Sequence, residues 1–445
     1  MSSILMQPVS LPCGATLPNR LAKSATQEGL ATPLGHASYA NLTLYRRWSE
    51  GGAGLLITGD VMVDMTHRER PGNIVIDGNG GLPDLRAWAK AGQTAGNHLW
   101  MQINQPGRQT PADIHPEPMA PSATTDGLPP AGFAMPRAMT EAEILDLIER
   151  FGRAAAITRE AGFSGVQLHA AHGFMASSFL SPLANRRTDD WGGSLENRAR
   201  FLIESLRAMR RAVGADFPLS LKMNSADFQK GGFTMEDSIR VIELLNLEGI
   251  DLLEISGGNY SAPVMIGADQ NEAPAPSVGG DNAFARPKAK STLRREAYFR
   301  EYAQRARPVA KMPLMMTGGF RDVAVMEEAI TSGDTDVIGF ARPFCVSTDF
   351  CAGLLDGSIA EVPAVEELLM LDRTAWPDLD DRAFNLFESD HQLAWMYLQL
   401  VRLGDGLEID WDMPLTEAPE RFAASEAARE VARRDAMACD PATVD

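Results

Sequence analysis

The 445-residue sequence predicts an α/β fold, a (β/α)8 TIM barrel with an N-terminal segment at the barrel bottom and a helical C-terminal extension. Three observations support this prediction. Short β-rich runs alternate with amphipathic helical runs along most of the chain, as in repeated βα units around a parallel sheet. Eight such pairs can be assigned, the number a barrel needs. No Gly-x-Gly-x-x-Gly turn follows an early strand, which weakens the alternative of a doubly wound open sheet.

The eight strands are assigned, in order, to Leu21–Ala25, Gly54–Thr58, His98–Ile103, Gly165–Leu168, Leu219–Met223, Leu252–Ile255, Leu314–Thr317 and Val337–Phe340. The helices that follow them are Ser38–Glu50, Leu82–Ala95, Glu141–Ala161, Leu195–Val213, Met235–Glu248, Arg295–Ala310, Asp322–Thr331 and Thr348–Leu355. Two of these starts pair a capping hydroxyl with a carboxylate three residues later, Thr140 with Glu143 and Thr234 with Asp237.

Two long connections interrupt the βα pattern, Pro106–Met139 and Gly257–Arg294. Both follow strands, so in a barrel both lie on the catalytic face. Loops of this length in a compact domain are commonly functional.

The chain continues well beyond the eighth helix, so we divide it into a barrel unit, residues 1–357, and a helical extension, residues 358–445. We expect two helices of the extension to pack on the barrel, at Glu366–Leu371 and His391–Leu403. The Ala- and charge-rich Ala418–Asp445 predicts either a peripheral helix or a flexible, frayed tail.

Composition and charge exclude several function classes. A net charge of −18 repels phosphate backbones and anionic lipid, so we expect neither nucleic acid nor a membrane as partner. With no secretory signal and no stretch long enough to span a bilayer, we expect a cytoplasmic protein. The four cysteines lack the spacing of a zinc or iron–sulfur site.

Polar side chains stand at the carboxyl ends of predicted strands, where barrel enzymes place their chemistry. They are Gln102, Asn104, His169, His172, Lys222, Asn224 and Ser225. An amide, a cation and two imidazoles suit a heteroaromatic or carbonyl ligand better than a metal, since no carboxylate adjoins the histidines. The alternatives are a metal-dependent hydrolase or lyase that uses these histidines with Asp189 or Asp190, and a barrel that binds a ligand without turnover.

A second signal follows the last two strands. Thr317-Gly-Gly-Phe320 and Gly339-Phe-Ala-Arg-Pro343 place small residues where backbone N–H groups can approach an anion, and Arg342 can pair with a phosphate. Their position after strands seven and eight predicts a phosphorylated cofactor.

The segment from Val166 to Phe201 contains, in order, His-Ala-Ala-His-Gly, Phe-Leu-Ser-Pro, Asn-x-Arg-x-Asp and Gly-Gly-Ser-x-Glu-Asn-Arg-x-x-Phe. With Asn19-Arg20 and Gly51-Gly-Ala-Gly54, these motifs resemble the old yellow enzyme family of FMN-dependent NAD(P)H oxidoreductases. The resemblance runs from about Pro18 to about Pro343.

The resemblance implies a role for each matching position. FMN would contact Ser24, Ala25, Thr26, Gln27, Gly59, Asp60, Gln102, Lys222, Gly318, Gly319, Ala341 and Arg342, the last four around the phosphate. His169 and His172 would bind the substrate oxygen above the flavin ring. No resident metal is implied, and the chain's length and cysteines favour a single-cofactor enzyme.

One position departs from the family pattern in a way that bears on chemistry. Phe174 stands where many members have a proton-donating tyrosine, and it cannot donate a proton. The resemblance implies that hydride passes from NADH or NADPH through the flavin to an α,β-unsaturated carbonyl compound, with the proton coming from solvent or from another residue such as Tyr260. The alternative is a quinone, nitro or oxygen acceptor that needs no such proton. The sequence does not determine the oligomeric state, and a homo-oligomer is one possibility.

Overall fold

The computed structural model describes residues 3–129, 132–257 and 301–439. Its centre is a closed parallel barrel of eight strands. They are β1 (Leu21–Lys23), β2 (Leu55–Ile57), β3 (His98–Asn104), β4 (Gly165–Ala170), β5 (Leu219–Asn224), β6 (Leu252–Ser256), β7 (Leu314–Thr317) and β8 (Val337–Phe340). Each strand pairs with the next along the chain, and β8 pairs with β1 through Ile338 opposite Leu21. The predicted TIM barrel is therefore confirmed.

The strand positions agree with the sequence prediction within two residues at each end. Strands β7 and β8 have the predicted bounds, and β4 to β6 run one or two residues further. Strand β1 ends at Lys23 instead of Ala25, because the following residues turn away to line a cavity at the barrel mouth.

Helices surround the barrel. They are α1 (Tyr39–Glu50), α2 (Leu82–Ala91), α3 (Glu141–Glu160), α4 (Met175–Leu180), α5 (Leu195–Val213), α6 (Met235–Leu245), α7 (Val323–Thr331) and α8 (Phe350–Asp356). Residues 301–306 are also helical, inside the predicted Arg295–Ala310, whose first residues lie outside the described ranges. Thr140 with Glu143 and Thr234 with Asp237 form complete capping boxes, as predicted.

The N-terminal segment closes the bottom of the barrel. A hairpin pairs Val9–Ser10 with Thr16–Leu17, and its apolar side chains pack with Trp100 and other residues of the barrel interior. Burial of these aliphatic side chains stabilises the closed end, since each is worth roughly 1.5–3 kcal/mol.

Three helices form the extension: α9 (Val365–Leu368), α10 (Asp381–Gly404) and α11 (Ala418–Cys439). Helix α10 begins ten residues before the predicted His391, because the Asp380 side chain caps it by accepting from the backbone N–H of Ala383 at 2.8 Å. Helix α11 packs on α10, and α10 packs on α1, so the extension is joined to the barrel. Among the described residues, none of the helices is both long and apolar enough for a bilayer crossing.

Candidate active site

A cavity of about 840 Å³ opens at the carboxyl ends of the barrel strands. It brings together most of the predicted site residues, namely Ala25, Thr26, Gln27, Asp60, Gln102, His169, His172, Phe174, Lys222, Gly318, Gly319, Ala341 and Arg342. Two others lie behind its wall. Ser24 hydrogen-bonds the Thr317 hydroxyl at 2.7 Å, and the Gly59 N–H donates to Glu28 at 3.1 Å. Tyr260 lies outside the described residues.

His169 and His172 stand on the cavity wall with their rings edge to face, 5.0 Å between centroids. Nδ1 of His169 accepts from the backbone N–H of Ala171 at 3.2 Å, which assigns the ring proton to Nε2. Burial lowers the pKa of both imidazoles, and the nearby charge of Lys222 lowers it further. Both rings are therefore neutral near pH 7, and His169 Nε2 is a hydrogen-bond donor.

His172 adopts a left-handed backbone conformation, with φ of 62°. Three barrel segments hold it there: Asn224 accepts from its N–H at 3.1 Å, Gln109 donates to its carbonyl at 3.0 Å, and Ser256 Oγ lies 2.7 Å from Nε2. A non-glycine residue in this region is unfavourable, so the neighbours impose the orientation of the ring.

A buried polar network lies beneath the cavity. Lys222 Nζ is 3.1 Å from Glu254 Oε1, and the same carboxylate accepts from Thr317 at 2.7 Å and from Gln167 at 3.0 Å. Gln102 donates its amide N–H to Gln167 Oε1 at 2.7 Å. Gln102 therefore keeps its carbonyl oxygen and its second amide N–H for a ligand.

Sequence reasoning did not identify Glu254 and Gln167. A signal was present, since each is a polar residue inside a short apolar strand, Leu-Leu-Glu-Ile-Ser and Val-Gln-Leu-His. Fully buried charges in proteins are nearly always paired, so an acid in a predicted barrel strand indicates a buried partner.

The end of the cavity near β7 and β8 carries two guanidinium groups. Arg321 and Arg342 both approach the Glu366 carboxylate of α9, at 2.6 and 3.6 Å. Burial opposes ionisation of Glu366, but Arg342 and Arg321 together lower its pKa to about 2. Gly318 and Gly319 adjoin them with φ of 93° and 85°, and a Cβ on Gly318 would meet only open space. The site thus combines positive charge with exposed backbone, as an anion site requires.

At the ends of the first three strands, Asp60 accepts from Gln27 at 2.5 Å and from Asn104 at 2.8 Å. Burial, reinforced by Glu69, raises the pKa of the Asp60 carboxyl well above its ordinary value. Among the described residues, no group of three or more His, Cys, Asp or Glu side chains is arranged to hold a metal ion. Asp189 pairs with Arg187 and lies away from the cavity residues.

Comparison with known proteins decides the family. A model of the NADH:flavin oxidoreductase / NADH oxidase family matches residues 4–357. The chain belongs to this family. Members are FMN-dependent NADH oxidoreductases, which confirms the predicted enzyme class and cofactor.

Similar proteins agree with this assignment. An NADH-dependent flavin oxidoreductase from Hypocrea jecorina (strain QM6a) is 35% identical over 361 residues, 76% of this chain and 86% of the relative. Another from Neonectria sp. (strain DH2) is 34% identical over 417 residues, 88% of this chain, which spans about half (51%) of that relative. The solved structure of morphinone reductase has the same barrel, with a TM-score of 0.65 and 22% identity over 82% of this chain and 92% of that one.

The residues of the cavity fit FMN. Its volume lies in the range of about 300–1,000 Å³ typical of ligand pockets. It offers an amide and a cation for the polar edge of a flavin, at Gln102 and Lys222, and an anion site at Arg321 and Arg342.

Proposed function

We propose that this enzyme passes hydride from NADH through FMN to an electron-poor acceptor, and that an α,β-unsaturated carbonyl compound suits the site best. Bound FMN would supply the two-electron chemistry. NADH is preferred over NADPH because the relatives compared above are named as NADH-dependent enzymes.

The observation that carries the proposal is the neutral imidazole pair on the cavity wall. His169 offers an Nε2–H donor, and His172 is held beside it by Ser256 and Asn224. Where the Ser256 hydroxyl donates to His172 Nε2, the ring proton of His172 lies on Nδ1 and supplies a second donor. Two such donors to one carbonyl oxygen would polarise the conjugated system and make its β-carbon a better hydride acceptor. Their fixed orientation avoids a reorganisation cost during the reaction.

A second acceptor class is favoured by Phe174. Its ring packs edge to face on His169 with 4.8 Å between centroids, and it carries no acidic proton. A quinone or nitro compound can be reduced without proton donation to carbon at this position. We therefore propose quinones and nitro compounds as the second candidate.

An anaerobic titration tests the proposal. The purified protein with bound FMN would be titrated with NADH and, in parallel, with NADPH, and then mixed with a panel of enones, quinones and nitro compounds. We expect NADH to bleach the flavin absorbance and an enone to restore it. Flavin that stays oxidised under both NADH and NADPH would indicate ligand binding without turnover. Restoration of the absorbance by quinones but not by enones would favour the second candidate.

A further inference from the structure

The extension supplies one wall of the cavity. Seven of its residues line the cavity: Leu386, Asp390, Leu393, Met396, Tyr397, Phe422 and Glu426. All seven lie beyond residue 357, where the match to the family model ends. Most are apolar, in contrast to the Lys222, Gln102 and arginine groups elsewhere in the cavity.

The position of this wall follows from the topology. Strands β3 to β6 carry the polar residues Gln102, His169, Lys222 and Ser256, and the segments after β7 and β8 carry the anion site. Helix α10 contacts α1 and the turn Arg342–Cys345, so the extension covers the remaining sector, between β8 and β2. A flavin ring has a polar pyrimidine edge and an apolar dimethylbenzene edge. A flavin bound with its polar edge at Gln102 and Lys222 would have its apolar edge toward this wall.

The wall is held firmly in place. Arg70, from the connection after β2, lies against the stacked rings of Tyr397 and Phe422, with its guanidinium carbon 4.4 and 4.9 Å from their centroids. It also forms two hydrogen bonds of 2.9 Å with Glu426. Gly29 makes room for this arrangement, because a Cβ there would lie 2.6 Å from the guanidinium carbon.

We infer that the C-terminal extension is part of the FMN-binding site, where it covers the dimethylbenzene edge of the flavin and slows FMN release. The inference rests on the proposed placement of FMN in this cavity. At the other end, Glu366 of α9 contacts both Arg321 and Arg342, so the extension reaches the anion site as well. Phe422 is the cover residue whose removal opens the apolar end without touching either arginine of the anion site.

The test compares FMN release from the wild-type holoenzyme and from Phe422→Ala, followed by the rise in free-flavin fluorescence after dilution. Loss of an apolar cover of this size should speed release about tenfold. Phe387→Ala is the matched control, because Phe387 packs on Trp376 and His391 of the same extension and does not line the cavity. Phe422→Leu, which keeps an apolar cover, should restore slow release.

The outcomes distinguish failure of the covering role from failure of the proposed function. Faster FMN release in Phe422→Ala alone supports the inference that the extension covers the flavin. Equal release rates in all variants would overturn the inference. Equal acceleration in Phe422→Ala and Phe387→Ala would also overturn it, because it would show a general loosening of the extension. A wild-type protein that binds no FMN would overturn the proposed function itself. Thermal unfolding of each variant establishes that it is folded during the measurement.

Discussion

At the scale of residues, the two histidines combine strain with neutrality. His172 is held in a left-handed conformation by hydrogen bonds to Asn224 and from Gln109, and its neighbour His169 is buried on the same wall. Both features are energetically costly, and they place two uncharged rings where we propose that they bind one ligand oxygen.

Replacing both rings should remove that oxygen site. We expect His169→Ala combined with His172→Ala to weaken the binding of a phenol to the FMN-loaded protein about 100-fold, because two hydrogen bonds to a charged oxygen are lost. The charge-transfer absorbance of phenol over oxidised flavin measures the affinity. His36→Ala is a suitable control, since His36 pairs with Asp84 away from the cavity. Unchanged phenol affinity in the double variant would contradict the assignment.

Phe174→Tyr tests the missing proton donor. A phenol hydroxyl at this position should raise turnover with an enone about tenfold, since general acid catalysis contributes at least that much where geometry permits. Turnover with a quinone should change little. Steady-state rates with both acceptors provide the measurement, and equal effects on the two would show that protonation at this position is not limiting.

Acid should destabilise the protein through the same histidines. Burial lowers the pKa of both rings, so below the ordinary pKa of about 6.5 the unfolded chain binds protons that the folded chain does not. The free energy of unfolding should then fall by up to about 1.4 kcal/mol per pH unit for each histidine. Urea titrations from about pH 7 to about pH 5 should show a shallower fall for the double alanine variant. Parallel pH profiles would show that the rings become protonated in the folded state.

Most residues that line the cavity could be predicted from the sequence, because barrel topology brings the carboxyl ends of all strands to one face. The buried residues that hold these side chains in place could not be predicted. Glu254 and Gln167 interact across strands with Lys222 and Gln102, and these pairings depend on barrel register. The Arg321 and Arg342 pairing with Glu366 depends on the path of the extension, which no local pattern specifies.

At the scale of elements, helix α11 is anchored by a partly buried ion pair. Arg70 and Glu426 are 10% and 16% exposed, and Glu426→Gln would leave the guanidinium without its counter-charge. We expect a loss of about 1–3 kcal/mol in stability. Glu417→Gln is the control, because its pair with Arg421 is about half exposed and should cost less than about 0.5 kcal/mol. Chemical denaturation of the two variants makes the comparison, and similar losses would show that burial is not decisive.

Element positions were predictable where periodicity is strong. Helix α5 and strands β7 and β8 have the predicted bounds, since clear caps or apolar runs delimit them. The start of α10 was missed because its first turns, from Asp381, mix exposed polar residues with few apolar ones. The Asp380 cap is a local signal that a search for helix starts could have found.

At the scale of the whole molecule, the net charge of −18 should oppose the approach of the anionic NADH. Raising ionic strength from about 0.01 M to about 0.15 M shortens the screening length from about 30 Å to about 8 Å, so flavin reduction at low NADH should speed up about two- to threefold. Stopped-flow measurements would show it. Reoxidation by an uncharged acceptor is the internal control and should not respond. A rate that falls with salt would show that the local arginines dominate the field.

The hairpin of Val9–Ser10 and Thr16–Leu17 limits how molecules reach the reaction centre. Its side chains fill the lower end of a barrel whose interior is already packed. In the described part of the chain, ligands can therefore reach the cavity only from the opposite face of the barrel. On the proposed function, a nicotinamide and an acceptor would both enter through this face and bind in turn. Each substrate in excess would then inhibit binding of the other, and the oxidised nicotinamide would have to leave before the acceptor binds.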